Sequence, residues 1–328
     1  ISMIQLDMKE ISQVPVLFGE KDILKSIQLL PGVKSAGEGN SGFYVRGGNA
    51  DQNLVLLDGA PVYNASHLLG FFSVFNSQAI KDVQLYKGGM PAEYGGRLSS
   101  VLDVTMNDGN NKEFGASGGI GLIASNLTLQ GPIKKDQGSF IVSGRRTYAD
   151  LFLKLSKDTT IQKTKLYFYD FNVKGNYRIG DKDRIYVSGY LGRDVLGFDQ
   201  IMDIDWGNKT GTVRWNHVFG DRLFLNTTAI YSDYNFKQGA TFDDFSLSLT
   251  SGIEDLTLKE DFQFYLNSKN TIRWGGEFIY HTFNPGQIES NFEGFEPPVL
   301  DLRYAYDGSL YASHQSKIGA RLAINYGI

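Results

Sequence analysis

From Asp170 to Ile179 polar and apolar side chains alternate without a slip: Asp170, Asn172, Lys174, Asn176 and Arg178 against Phe171, Val173, Gly175, Tyr177 and Ile179. Successive side chains of an extended chain point to opposite faces, so this run specifies a strand with one polar and one apolar face. Residues 271–283 repeat the pattern, with Arg273, Glu277 and His281 opposite Ile272, Trp274, Phe278 and Tyr280. Residues 255–266 set Asp255, Thr257, Lys259, Asp261 and Gln263 against Leu256, Leu258, Phe262 and Phe264, with Glu260 as the one violation. Eleven segments read this way, at 114–123, 124–133, 138–147, 166–179, 182–193, 209–219, 221–236, 250–266, 269–283, 302–318 and 320–328.

The connections alternate as well. Gly180-Asp181, Gly220 and Asn267-Ser268 make tight turns, while the connections between segments three and four, five and six, seven and eight, and nine and ten are expected to be long loops. A soluble sandwich has no reason to sort its loops by length, whereas a transmembrane β-barrel keeps short turns at its periplasmic end and long loops outside. Several segments reach the nine to eleven residues or so that a tilted strand needs to cross a bilayer. Trp206, Trp215, Phe219, Phe236 and Phe283 near segment ends suit interfacial aromatic girdles. Apolar runs such as Leu54–Leu57 and Leu68–Phe75 are far too short for a membrane-spanning helix, which needs about 18 residues. With no cysteine in the chain, disulfides, thiolate metal sites and a Cys nucleophile are excluded. A net charge of −4 carries no electrostatic footprint for nucleic acid.

The first 106 residues differ, with only nine aromatics and mixed periodicities. Ile23, Leu24, Ile27 and Leu30 share one helical face that Pro31-Gly32 terminates. Short extended runs follow at Phe43–Val45, Asn53–Leu57, Val83–Tyr86 and Val101–Thr105. The organisation expected is an α+β domain at 1–106, a polar linker at 107–113 and strands from 114 to 328.

Three segments of that first domain carry a recognisable order. They are Leu29-Leu30-Pro31-Gly32-Val33; Phe43-Tyr44-Val45-Arg46-Gly47-Gly48 with Asn53 to Tyr63 (NLVLLDGAPVY); and Ile80 to Arg97 (IKDVQLYKGGMPAEYGGR). Together they resemble the plug domain of TonB-dependent outer-membrane receptors. The resemblance implies an α+β plug inside a transmembrane antiparallel β-barrel of 22 strands, of which about 11 are present, so that the chain reads as a plug and roughly half a barrel. A plug of about 100 residues has a radius of gyration near 13 Å, too wide for eleven strands to enclose.

The same resemblance implies a plug-to-barrel lock through Arg46 and Lys87, pairing with glutamates expected on later strands. Lys87 stands where arginine is frequent in the family, and a lysine offers no bidentate fork. It also implies ligand-facing plug apices, which match Glu38, Asn40, Asn49, Asp51, Gln52, Tyr63, Asn64 and His67 here. His67 has a second reading, packing under Leu68-Leu69. The function implied is ligand-gated, TonB-energised import across the bacterial outer membrane, with the TonB box expected ahead of Ile1. The ligand stays open between a siderophore, cobalamin, a glycan and a peptide. Outer-membrane lipid is an implied partner and a surface lipoprotein a further one. The rivals are a signalling or adhesion barrel, a glycan importer of the starch-utilisation type and a passive porin.

No catalytic residue, cofactor or metal site is expected. Gly119-Ile120-Gly121-Leu122-Ile123-Ala124 matches a dinucleotide fingerprint only formally, since no βαβ unit follows. The four histidines lack metal-ligand spacing, and Asp199, Asp203 and Asp205 fit no calcium loop, reading instead as an acidic outer loop. No triad or carboxylate pair can be placed by spacing, so an enzyme is not expected.

Overall fold

A computed structural model describes residues 3–7, 11, 21–37, 42–199, 201–298, 300–319 and 321–328. The N-terminal part holds β1 (Met3–Asp7), a helix at Ile23–Gln28, β2 (Val33–Ser35), β3 (Phe43–Val45), β4 (Asn53–Leu57), β5 (Ala60–Pro61), β6 (Ser66–His67), β7 (Phe72–Ser73), β8 (Ile80–Tyr86) and β9 (Ser100–Met106). Its main sheet runs β1-β8-β9-β4-β5, with β4 parallel to β9 and the other pairs antiparallel. Ile23, Leu24 and Ile27 of the helix pack with Val83, Leu85, Leu102 and Val104 into one apolar core. Asp22 caps the helix by accepting the Lys25 N–H at 3.0 Å, and its second oxygen accepts the Ser73 N–H at 2.7 Å, tying the helix to β7. Such a cap contributes about 1 kcal/mol.

Eleven strands follow: β10 (Gly115–Ile120), β11 (Ala124–Lys134), β12 (Gly138–Thr147), β13 (Lys165–Ile179), β14 (Asp183–Phe198), β15 (Met202–Val218), β16 (Leu223–Phe242), β17 (Phe245–Asn267), β18 (Asn270–Ser290), β19 (Arg303–Ile318) and β20 (Leu322–Gly327). They form one sheet in chain order, each antiparallel to the next. Up-and-down pairing of this kind is the topology of a barrel wall.

Burial along these strands is inverted relative to a soluble domain. On β13 the polar positions Asp170, Asn172, Lys174 and Asn176 are buried, while Phe171 is 48% and Val173 38% exposed. Ser188 and Asp194 on β14, Asn208, Thr210 and Thr212 on β15, and Asp255 and Thr257 on β17 continue the buried polar face. The register aligns Gly175, Val187, Val213, Ala229, Leu258, Phe278 and Gly308 across seven strands as one outward apolar row. Water would not tolerate so broad an apolar surface on a monomer, and hydrocarbon would. On β14 the outward charges Asp183 and Arg193 bracket Ile185, Val187, Gly189 and Leu191. That interval is about 33 Å along the strand, or about 25 Å of height at a tilt of about 40°, the height of a barrel's apolar band.

Two expected long loops are absent, because the strands continue instead. β14 and β15 pair as far as Phe198 and Met202, and β16 and β17 as far as Phe242 and Phe245. The polar residues beyond the apolar band break the amphipathic pattern, yet the backbone ladder needs no pattern to go on. Asp203 and Asp205 therefore lie on β15, not in an acidic outer loop. Asp199, Asp203 and Asp205 face Lys163, Lys165 and Arg193 in ion pairs. The remaining long connections are residues 148–164, which hold two short helices, and 291–302. Glu260, the break in alternation, sits on the outward face and accepts a hydrogen bond from Thr227 Oγ1 at 2.9 Å.

Candidate functional site at the plug and barrel wall

The N-terminal domain lies against the polar face of the sheet, and the contact combines hydrogen bonds and ion pairs with an aromatic patch in which Phe168 and Tyr190 of the wall meet His67, Phe72 and the plug's core. The turn after β5 brings Tyr63, Asn64 and His67 to the wall. Tyr63 donates its hydroxyl to Asp255, which also holds His281 Nδ1 at 2.6 Å. Burial first, and the Asp255 carboxylate second, push the Tyr63 hydroxyl well above the ordinary tyrosine range. The Asn64 carbonyl accepts from Asn208 Nδ2 at 2.7 Å, and the Pro61 carbonyl from Ser232 Oγ at 2.7 Å.

His67 is fully enclosed. Its Nε2 lies 2.6 Å from Asp170 Oδ1 and its Nδ1 2.5 Å from Asp194 Oδ2, while its ring stacks on Phe168 at 4.1 Å. Arg145 donates to Asp170 Oδ2 through Nε at 2.7 Å and Nη2 at 2.5 Å, and to the Ser73 carbonyl at 2.8 Å. Tyr190 donates to Asp170 Oδ1 at 2.8 Å. The Leu68 N–H donates to Asp194 Oδ1 at 2.7 Å. Burial alone would lower the His67 pKa; the two carboxylates overcome it and raise the value to about 9.

A second cluster closes the inner end. Lys174 donates to the Met106 carbonyl at 2.9 Å and pairs with Asp58 at 3.2 Å and Asp108 at 3.1 Å. Asp58 Oδ1 in turn accepts the Met106 N–H at 2.9 Å. Arg273 and Lys259 reach Glu93 of the plug, through its carboxylate at 3.2 Å and its carbonyl at 3.1 Å.

The residues expected at the site fall into separate surroundings. Tyr63, Asn64 and His67 are brought together on the wall, where both ring nitrogens of His67 face aspartates. Asn49, Asp51 and Gln52 form a one-turn 3-10 helix at Ala50–Gln52 and its entry, where Gln52 Oε1 accepts the Asn49 N–H at 3.1 Å. Asn49 and Asp51 are exposed. Glu38 and Asn40 lie outside the described residues. Lys87 is buried and donates to the Pro31 carbonyl at 2.5 Å. Arg46 sits in a left-handed conformation (φ 49°), its guanidinium packed so closely on Gly88 that a Cβ there would lie 2.5 Å from Nη1. It is the φ of 148° at Gly88 that favours glycine there, since the guanidinium is the far end of a flexible side chain and can move aside.

Asp170, Asp194, Arg145, Lys174 and Asp255, the wall's half of the contact, were not singled out by motif. For all but Asp194, which lies one residue past the segment read at 182–193, the signal was the polar phase of the alternation, which gives the face and not the partner. Among the described residues no group of three or more His, Asp or Glu side chains is placed to hold a metal ion.

Residues 4–100 match the family model described as the TonB-dependent Receptor Plug Domain. No curated protein matches the sequence. Among solved structures, the siderophore receptor PirA from Acinetobacter baumannii superposes with a TM-score of 0.73 at 15% identity, covering 100% of this chain and 56% of that one. The ferric yersiniabactin uptake receptor FyuA from Yersinia pestis gives a TM-score of 0.63 at 13% identity, covering 100% and 64%. The hemophore receptor HasR of Serratia marcescens, solved with its hemophore HasA and heme, gives 0.70 at 13% identity, covering 99% and 51%. At such identities the likeness is one of fold, and the chain spans little more than half the length of these receptors. They are receptors, not enzymes. Residues 4–100 thus belong to the TonB-dependent receptor plug family, and, seated on the polar inner face of an eleven-stranded wall that turns an apolar face outward, they give this chain the fold of the plug and part of the barrel of such receptors.

Proposed function

We propose that the protein imports a specific ligand across the outer membrane, with the plug as gate and TonB as the source of work. The observation that carries this reading is the chemistry of the plug-to-wall contact. A plug held by an apolar core would be a permanent stopper, since each buried side chain would cost about 1.5–3 kcal/mol to uncover. Here the contacts from Tyr63, Asn64, His67, Asn76 and Glu93 are polar. Water entering the interface can replace such bonds at a net cost of only about 1 kcal/mol each where the groups are uncharged. A pulled segment of the plug can therefore part from the wall with most of the plug's own core still covered; Tyr190 of the wall packs into that core, and the ion pairs of His67 and Glu93 carry the larger cost of parting.

In this reading Arg46 and Lys87 serve a lock to wall residues elsewhere in the barrel. Asn49, Asp51, Gln52 and the outer loops serve ligand capture. The solved receptors with this fold bind ferric siderophores and heme, and the same classes head the ligand list here, ahead of cobalamin, glycans and peptides. A surface lipoprotein remains an optional partner of this reading.

The test uses the full-length receptor in planar bilayers and in its own cell. The reading expects no steady conductance from the intact protein and an open pore after deletion of residues 1–106. It also expects uptake from a panel of labelled ferric siderophores and heme to vanish without TonB. A steadily conducting intact protein favours the passive porin instead, and uptake that survives loss of TonB refutes energy coupling.

A further inference from the structure

Both ring nitrogens of His67 lie within hydrogen-bonding distance of carboxylate oxygens, Asp170 Oδ1 at 2.6 Å and Asp194 Oδ2 at 2.5 Å. A neutral imidazole has one N–H, and an ionised carboxylate only accepts, so a neutral ring would set a lone pair against a carboxylate. Asp170 is held ionised by its other donors, since Arg145 reaches it through two nitrogens and Tyr190 through its hydroxyl. Asp194 takes the Leu68 N–H on its second oxygen. With an imidazolium at His67 the cluster of His67, Arg145, Asp170 and Asp194 sums to zero charge, and with a neutral ring it would bury a net negative charge without a counter-ion.

We propose that His67 is a buried imidazolium latch that fastens the plug segment 64–73 to strands β12, β13 and β14, separate from the Arg46 and Lys87 lock. The segment is anchored at three further points: the Leu68 N–H on Asp194, the Ser73 carbonyl on Arg145 and the Asn64 carbonyl on Asn208. His67 lies between them, and Leu68 and Leu69 beside it are held in left-handed backbone at φ 48° and 58°. Non-glycine residues adopt that conformation only where the surroundings enforce it. The latch rests on the fold and the contacts, not on the import reading, so it stands or falls without a known ligand.

Every charged or titratable group facing the segment enters the test. The wall supplies Arg145 from β12, Asp170 from β13, Asp194 and Tyr190 from β14, and Tyr234 from β16. The plug supplies Asp22, which accepts the Ser73 N–H, and Lys25, whose ammonium lies 5.7 Å over the Phe72 ring. Burial pushes Lys25 below the ordinary lysine value, so a Lys25→Met control is included.

His67 has its pKa raised from 6.5 to about 9 in the folded protein. Its stabilisation of the closed segment is therefore complete below pH 6.5 and fades as pH rises through about 9. Hydrogen exchange of residues 64–73 in the full-length receptor, corrected for the intrinsic rate, is expected to lose on the order of a hundredfold in protection between pH 6.5 and 9.5. Strand β8 is expected to show no such step, and Lys25→Met to keep it. His67→Gln is expected to be poorly protected throughout, and His67→Gln with Asp194→Asn, which restores neutrality, to recover protection without the step. Imidazole nitrogen shifts of the wild type at pH 7 are expected to show both nitrogens protonated, a readout that holds even if a variant fails to assemble. A flat wild-type profile, a step that persists in the double variant, or one unprotonated nitrogen at pH 7 overturns the latch.

Discussion

Val187 tests the inverted burial most directly. It sits on the outward face of β14, 51% exposed, and registers between Gly175 and Val213 in the apolar row. Four residues of strand separate it from Asp183, which places it about 10 Å above that lower boundary charge at about 3.3 Å per residue and a tilt of about 40°. Arg193 lies about 15 Å higher by the same geometry, so Val187 is close to the midplane of the band. Val187→Arg then carries a guanidinium into hydrocarbon at a cost of about 2–4 kcal/mol. That corresponds to a loss of about 30- to 700-fold in the folding equilibrium. On the surface of a soluble sheet the same change would stay within about 0.5 kcal/mol. Denaturant titration of the full-length receptor in lipid vesicles, followed by tryptophan fluorescence, measures it. Lys209→Thr is the rim control: it breaks the exposed Lys209–Asp233 pair at 2.9 Å, worth about 0–1 kcal/mol. A Val187→Arg cost no larger than the control's would refute the membrane placement of this face.

Two further changes probe the plug's seat. Lys174→Met leaves Asp58 buried with its partner gone, and losing one member of a buried pair costs about 3–5 kcal/mol; limited proteolysis of the plug under rising denaturant is expected to show that loss, and unchanged protease resistance would count against the pair as a seat. Gly109→Ala forces an alanine into left-handed backbone (φ 77°) with its Cβ 2.2 Å from the Phe140 carbonyl oxygen; vesicle unfolding is expected to show a loss of about 2 kcal/mol or more, and a change under about 0.5 kcal/mol would refute the strained linker.

Much of the wall was legible before any coordinates. Alternation at Asp170–Ile179 placed the polar phase on one face and the apolar phase on the other, and both faces emerge as expected because period two is a property of the extended backbone itself. The helix of Ile23, Leu24 and Ile27 was equally readable, but it ends at Gln28 with Leu29 as its cap, so Leu30 lies outside it and the stop comes ahead of Pro31-Gly32. The outer hairpins were not: past Arg193 the polar composition of Asp199, Asp203 and Asp205 imitates a loop, although ion pairs with Lys163, Lys165 and Arg193 support continued structure.

What the sequence by itself determined is the phase of each strand, the sign of its two faces, and the glycine-rich motifs of a plug. Which inward residue meets which plug residue was decided only in three dimensions. His67 meets Asp170 and Asp194 across 103 and 127 residues of chain. Alternation puts Asp170 on the polar face, and Asp194 lies one residue past the segment read at 182–193; the height of each on the wall depends on the register summed strand by strand from β10 and on where the plug's core seats its turn. A shift of two residues in any one ladder would keep every face unchanged and carry those carboxylates about 7 Å away from the imidazole.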